Sequence, residues 1–146
     1  MRAISIRQPW ASMIIRPGLT DPIERAKAFS AGEIKDIENR DWSTNVRGRV
    51  LVHAAKGCTV AEAEDALDFA ETVCGVTFSL DLKTIARGGI IGSVEIVDCV
   101  TKSTSRWFMG KYGFVLRNPQ PIPFIPFKGA LGFFHVPDEL LKGGAA

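Results

Sequence analysis

The sequence predicts an α+β fold: a curled or closed sheet with two or three peripheral helices. Three observations carry this reading. Short β-branched or alternating segments recur along the chain, turn glycines separate them, and only a few stretches carry helix start signals. No internal repeat is visible.

Ala3 to Ile6 alternates weakly and reads as a first strand. Pro9 suits the start of a helix, and Trp10, Met13 and Ile14 recur at helical spacing until Arg16-Pro17-Gly18 stops it. Asp21-Pro22-Ile23-Glu24 is a second start, with Asp as cap, Pro in the first turn and Glu three residues after the cap. That helix should run to about Ala31 and close at Gly32. Ile34 to Glu38 is expected as a strand leading into an irregular Asn39-Arg40-Asp41-Trp42 segment. Val50, Val52 and Ala54 alternate with Arg49, Leu51 and His53, giving a strand with two differently dressed faces. Thr59-Val60-Ala61-Glu62 is a capping box. It opens a helix whose stripe is Ala63, Ala66, Leu67, Ala70 and Val73.

Gly75 to Ala86 gives no clear element. Gly88-Gly89-Ile90-Ile91-Gly92 has the glycines of a phosphate loop, but the β-branched run Ser93 to Val100 follows it where a helix would be required. The glycines therefore read as close backbone approach or a bend. One helical turn is expected over Ser105–Met109 and a strand over Tyr112–Leu116. Pro119, Pro121, Pro123 and Pro126 call for an extended edge segment. Leu131 to Val136 should close the sheet, and Pro137 to Leu141 should form an end helix.

The 146 residues fit one domain, with 46% hydrophobic and 23% charged residues. There is no run of eighteen apolar residues and no signal-peptide pattern at the start, which leads us to expect a soluble, cytoplasmic protein with no membrane association. Cys58, Cys74 and Cys99 are widely spaced and lack a C-x-x-C pair, so we expect neither disulfides nor a metal site, and no cofactor is implied. Net charge is +2, unevenly spread. Residues 59–81 hold six acids and no Lys or Arg, leaving +8 on the rest of the chain. A basic body with one acidic helix set apart suggests a polyanion surface.

Polar residues that no strand or helix requires recur beside tryptophans within the first fifty positions. Arg7, Asn39, Arg40 and Arg47 are planar donors, and Trp10 and Trp42 are flat apolar faces. Guanidinium, amide and indole together suit a nucleotide's phosphate and base.

The blocks Ile6-Arg7-Gln8-Pro9-Trp10-Ala11-Ser12, Lys35-x-Ile37-Glu38-Asn39-Arg40-x-Trp42, Arg47-Gly48-Arg49 and His53-Ala54 resemble the ASCH domain family of the PUA-like superfamily. Gly92-x-Val94, Val97-Asp98-Cys99, Tyr112-x-Phe114, Asn118-Pro119 and Lys128-Gly129 match its later blocks, so the resemblance runs from Ala3 to about Val136. It implies a single ASCH (PUA-like) domain over residues 1–146, built as a small β-barrel with helices around it and a cleft beside the barrel. Residues 17–31 look like a helical insertion relative to the family's compact pattern. Relatives bind RNA or DNA, and a few bacterial members look like amidohydrolases of acetylated cytidine or ribonucleases. This chain departs from that amidohydrolase subset. It has Glu38 where the subset has threonine, and no acid between Asp98 and Asp138 where the subset needs a glutamate.

The leading expectation is a module that binds RNA, or a single exposed nucleotide, in a basic cleft. Arg7, Lys35, Arg40 and Lys56 would contact phosphate. Trp42 or Trp107 would stack a base, with Gln8, Ser12, Asn39, Arg106 and Tyr112 as further contacts. The alternative is a metal-independent hydrolase of a modified nucleoside, or a ribonuclease, using Lys35 with Glu38. Burial could make Lys35 a base, but a neighbouring carboxylate works against that, and the plain reading of Lys35–Glu38 is an ion pair. His53 beside Leu51 reads as a packed, hydrogen-bonded histidine, and Trp10 as core. A protein partner for the acidic helix is the third reading.

Overall fold

In the computed structural model, which describes residues 1–144, the first half of the chain runs β1 (Arg2–Ile6), α1 (Trp10–Ile15), α2 (Pro22–Ser30), β2 (Ile37–Arg40) and β3 (Gly48–Ala54). It continues through α3 (Val60–Thr72), β4 (Gly89–Val100), β5 (Tyr112–Pro126), β6 (Phe133–His135) and α4 (Asp138–Gly144). The strands form one mixed sheet in the order β2-β5-β4-β3-β1-β6. The β1–β3 pair is parallel and every other pair antiparallel. The fold is α+β, as expected.

The sheet curls because its longest pair is irregular. β4 and β5 slip register between Ile90 and Gly92, Ser93 and Glu95, and Ile96 and Asp98, and each slip bends the ribbon and adds twist. Hydrogen bonds do not close the curl into a full barrel. β2 and β6 stay as its two edges, and aromatic rings span the seam between them. Trp42 meets Phe114 edge-on at 5.3 Å and Phe133 at 5.9 Å, and Phe133 stacks on Phe114 at 6.3 Å. Inside the curl, Ile4, Ile6, Val50, Val52, Val94 and Ile96 share one core with Ile14, Ile15 and Phe114. Both faces of β3 are buried. Leu51 points the other way, into a second cluster with Ala3, Ile90, Ile125 and Val136.

The two capping signals act as the sequence implies. Asp21 accepts from the Glu24 N–H at 3.0 Å and Thr59 from the Glu62 N–H at 3.1 Å, each satisfying one otherwise orphaned donor. On α3, Ala63, Ala66 and Ala70 are buried, but Val73 is exposed and falls outside the stripe. Three expectations change. The strand expected over Ile34–Glu38 begins only at Ile37 and continues through Arg40, so Lys35 precedes the ladder. At Ser105–Met109 the chain makes one hydrogen-bonded turn, Phe108 N–H to the Ser105 carbonyl at 3.1 Å, and no helix. The strand starting at Tyr112 continues through the prolines to Pro126. That last strand survives because β2 pairs with it only over Tyr112–Val115. The proline-rich half has a neighbour on one side only and loses no ladder bond on the other.

Close backbone approach makes Gly92 irreplaceable. A Cβ there would lie 2.5 Å from the Gln120 carbonyl and 2.7 Å from Ile15. Gly92→Ala should cost about 1–3 kcal/mol of stability through overpacking, read as a lower urea midpoint with an unchanged slope.

Candidate functional site

β1, β2 and the segment just before β2 meet at the seam, and a concavity of about 360 Å³ opens there. Arg7, Lys35, Glu38, Asn39, Arg40 and Trp42 all line it, joined by Ser5, Trp10, Asp41 and Met109. Its floor is a chain of charges. The Lys35 ammonium, with the residue only 2% exposed, donates to Glu38 Oε1 at 3.0 Å and to the Ile37 carbonyl, and lies 5.6 Å from the centre of the Trp10 ring. Glu38 Oε2 accepts from Arg40 Nε at 3.0 Å and contacts Nη2 at 2.8 Å, and Arg40 Nη2 donates to the Ser5 carbonyl at 2.9 Å. The Arg40 guanidinium sits 5.9 Å from the Trp42 ring centre.

Lys35 and Glu38 can both point inward because the strand starts between them. Lys35 lies before the first ladder pair, Ile37–Val115, and its backbone N–H donates to the Met13 carbonyl instead. Glu38 and Arg40 then share a strand face by the period of two. Asn39 takes the opposite face. Its amide donates to the Trp107 carbonyl at 2.9 Å and accepts from the Met109 N–H at 2.9 Å, pinning that loop at the rim of the concavity.

The remaining sequence candidates fall elsewhere. Gln8 is buried and ties α1 to the chain near Ala86, donating to the Ala86 carbonyl at 2.8 Å and accepting from the Ser12 N–H at 3.0 Å. Ser12 is buried in the same helix start. Trp107 is 1% exposed, packs on Phe69 and Phe78, and donates its indole N–H to the Gly32 carbonyl at 3.0 Å, so no ring face is left for a base. Arg106 is exposed but near Gly75, where its carbonyl accepts from the Cys74 thiol. Burial pushes that thiol's pKa up, which suits an inert core cysteine. Tyr112 pairs with Arg40 across the sheet without lining the concavity, and Lys56 lines a separate hollow. Sequence reasoning passed over Ser5, Asp41 and Met109 as lining residues, and read Trp10 as core. Asp41 stood inside a quoted motif and its acidity was the available signal. Met109 gave none.

Charge in the concavity is balanced. Arg7, Lys35 and Arg40 face Glu38 and Asp41, and Arg7 is itself held by Glu62 of α3 through a two-pronged contact at 2.8 and 2.9 Å. Among the described residues, no group of three or more His, Cys, Asp or Glu is placed to hold a metal ion. No described helix is long and apolar enough to cross a membrane.

Removing one member of the buried chain should show its structural weight. Glu38→Ala strands Lys35 in the interior and should cost about 3–5 kcal/mol in urea unfolding. Lys35→Met, which leaves Glu38 its Arg40 partner, should cost less.

No protein-family model matches the chain. Human activating signal cointegrator 1 is 25% identical over 152 residues, covering 96% of this chain and 23% of the relative, so the chain spans about a quarter of that protein's length. An ASCH structure from Zymomonas mobilis aligns over 97% of this chain and 90% of its own, with a TM-score of 0.45 and 14% identity. The cointegrator similarity runs nearly end to end of this chain, and the Ile6–Ser12 and Lys35–Trp42 motifs that carry its resemblance to the ASCH domain family supply much of the concavity's lining.

Proposed function

We propose that this domain binds RNA by taking one exposed nucleotide into the seam concavity. One observation carries the reading: the Arg40 guanidinium is fixed beside the half-buried Trp42 indole in an open concavity of about 360 Å³. The volume is at the small end of the range for ligand sites, which suits one base rather than a duplex. Glu38 and the Ser5 carbonyl use Arg40 Nε and Nη2, which leaves Nη1 for a phosphate or a base edge. The rigid fork limits the ordering entropy lost on binding. The exposed part of Trp42 offers a stacking face.

The charge balance refines how many phosphates take part. Lys35 is spent in the buried pair, and Arg7 can offer a phosphate its Nε–Nη2 fork only by leaving Glu62. Arg40 is the standing contact, with Lys56 outside the concavity as a second. The hydrolase reading through Lys35 has less support. Two of its three N–H donors are committed to Ile37 and Glu38, and it lies beneath Trp10 rather than at the mouth.

Binding of single-stranded RNA, followed by fluorescence anisotropy, should therefore depend weakly on salt. One or two phosphates give a slope of about −0.7 to −1.4 in log K against log salt, or roughly a threefold to sevenfold loss on a fourfold rise. Trp42→Ala should remove about 1–3 kcal/mol of binding and leave the slope unchanged. Glu62→Gln should free Arg7, tighten binding and steepen the slope. RNA that fails to bind at low salt would refute the proposal.

A further inference from the structure

The Ser5 hydroxyl and the His53 imidazole, which the RNA reading does not use, form a hydrogen-bonded pair. Ser5 Oγ on β1 lies 2.9 Å from His53 Nδ1 on β3, opposite it in the parallel ladder. His53 Nε2 lies 2.7 Å from the Phe127 carbonyl. A carbonyl can only accept, so Nε2 carries the hydrogen and Nδ1 presents its lone pair. The Ser5 hydroxyl therefore donates to His53. That direction is the one a nucleophile and its general base require, and the Phe127 carbonyl holds the tautomer as a triad's third member does.

The serine side of the pair reaches solvent, since Ser5 is half-buried while His53 is only 2% exposed. The pair lines a hollow of about 620 Å³ whose rim carries the exposed ammonium groups of Lys56 and Lys128. Gly129 lies over the pair. A Cβ there would stand 2.7 Å from His53 Cε1 and 3.2 Å from Ser5 Oγ, so only glycine lets the chain pass at this distance. The Phe134 ring, its centre 5.6 Å away and nearly perpendicular to the imidazole, packs against it and helps fix its plane.

We propose that Ser5 is a nucleophile activated by His53, and that the hollow hydrolyses carboxylic esters carried on an anionic molecule. Ser5 Oγ forms a bond to the ester carbonyl carbon while its proton passes to His53 Nδ1. The imidazolium keeps its Nε2–H on the Phe127 carbonyl. Collapse breaks the bond to the alcohol oxygen, and the alcohol leaves with the proton from Nδ1. Water then adds to the acyl-serine by the same route, releasing the carboxylic acid and restoring both side chains. Lys56 and Lys128 select for negative charge on the substrate.

A fluorophosphonate tests the nucleophile directly, because Ser5 Oγ bonds to phosphorus, fluoride leaves, and the serine proton passes through His53 to the buffer. Intact-mass and peptide mapping of the whole chain should find one adduct, on the peptide containing Ser5, and none on Ser5→Ala. His53→Gln, checked for folding by its melting curve, should label at least about tenfold more slowly, as loss of a general base predicts. Should that variant not fold, Ser5→Cys serves instead, and iodoacetamide should modify position 5 faster than Cys58 or Cys99. No adduct on folded wild-type protein overturns the proposal and leaves the pair as a polar tie between β1, β3 and the Phe127–Gly129 segment.

Discussion

The ammonium of Lys35, buried against Glu38 and beneath Trp10, is the constraint around which the seam is built. Glu38 cannot satisfy Lys35 alone without leaving its second oxygen unpaired. Arg40 takes that oxygen and passes its own spare donor to the Ser5 carbonyl. Ser5 can accept because β6 pairs with β1 only as far as Ile4. One run of charge-assisted bonds therefore links β2, at one edge of the sheet, to β1, beside the other. Trp42 and Phe133 do the same work with apolar surface. A half-barrel with two loose edges would invite further strand pairing. Here the edges are drawn together by side chains, and the gap left between them is the concavity.

Most of the frame was legible because it depends on local chemistry. Asp21 and Thr59 caps, the Val50–Ala54 alternation and the β-branched strand over Ser93–Val100 all follow from local pattern and are found where it puts them. Side-chain chemistry also brought Arg7, Arg40 and Trp42 forward, the family resemblance added Lys35, and the structure gathers them in one place. What spacing missed depends on contacts distant in sequence. Trp107 beside Arg106 has the look of a stacking residue, yet Gly32 lies close enough to accept its indole N–H, and α3 and Phe78 bury its faces. The late start of β2 is equally invisible locally, since it turns on Lys35 bonding to Met13 from a different element.

Net charge was a poorer guide than pairing. The +8 outside the acidic stretch implies a broadly basic binding surface, but the concavity is close to neutral once Glu38, Asp41 and Glu62 are counted. The two-pronged Glu62 contact is the carboxylate counterpart of an arginine–phosphate fork. Arg7 is thus held in a geometry a phosphate could take over, at the cost of displacing a carboxylate. Both side chains are about half exposed, so the exchange is cheap in solvent. The acidic helix therefore bears on the cleft through one residue rather than through its overall charge.

A buried ion pair rarely repays its desolvation better than well-packed apolar side chains would. The Lys35–Glu38–Arg40 chain is therefore poorly explained by stability alone. Its geometry supplies another reason. An apolar replacement for Glu38 would fill the space, yet nothing would then fix the Arg40 fork at the seam or hold it near the Trp42 ring. The same Ser5 that accepts from Arg40 through its carbonyl donates to His53 through its hydroxyl. A shift of β1 at this residue would disturb the Arg40 contact and the Ser5–His53 bond together. Two polar sites built on opposite sides of one strand position are consistent with a rigid charge chain that keeps that position still.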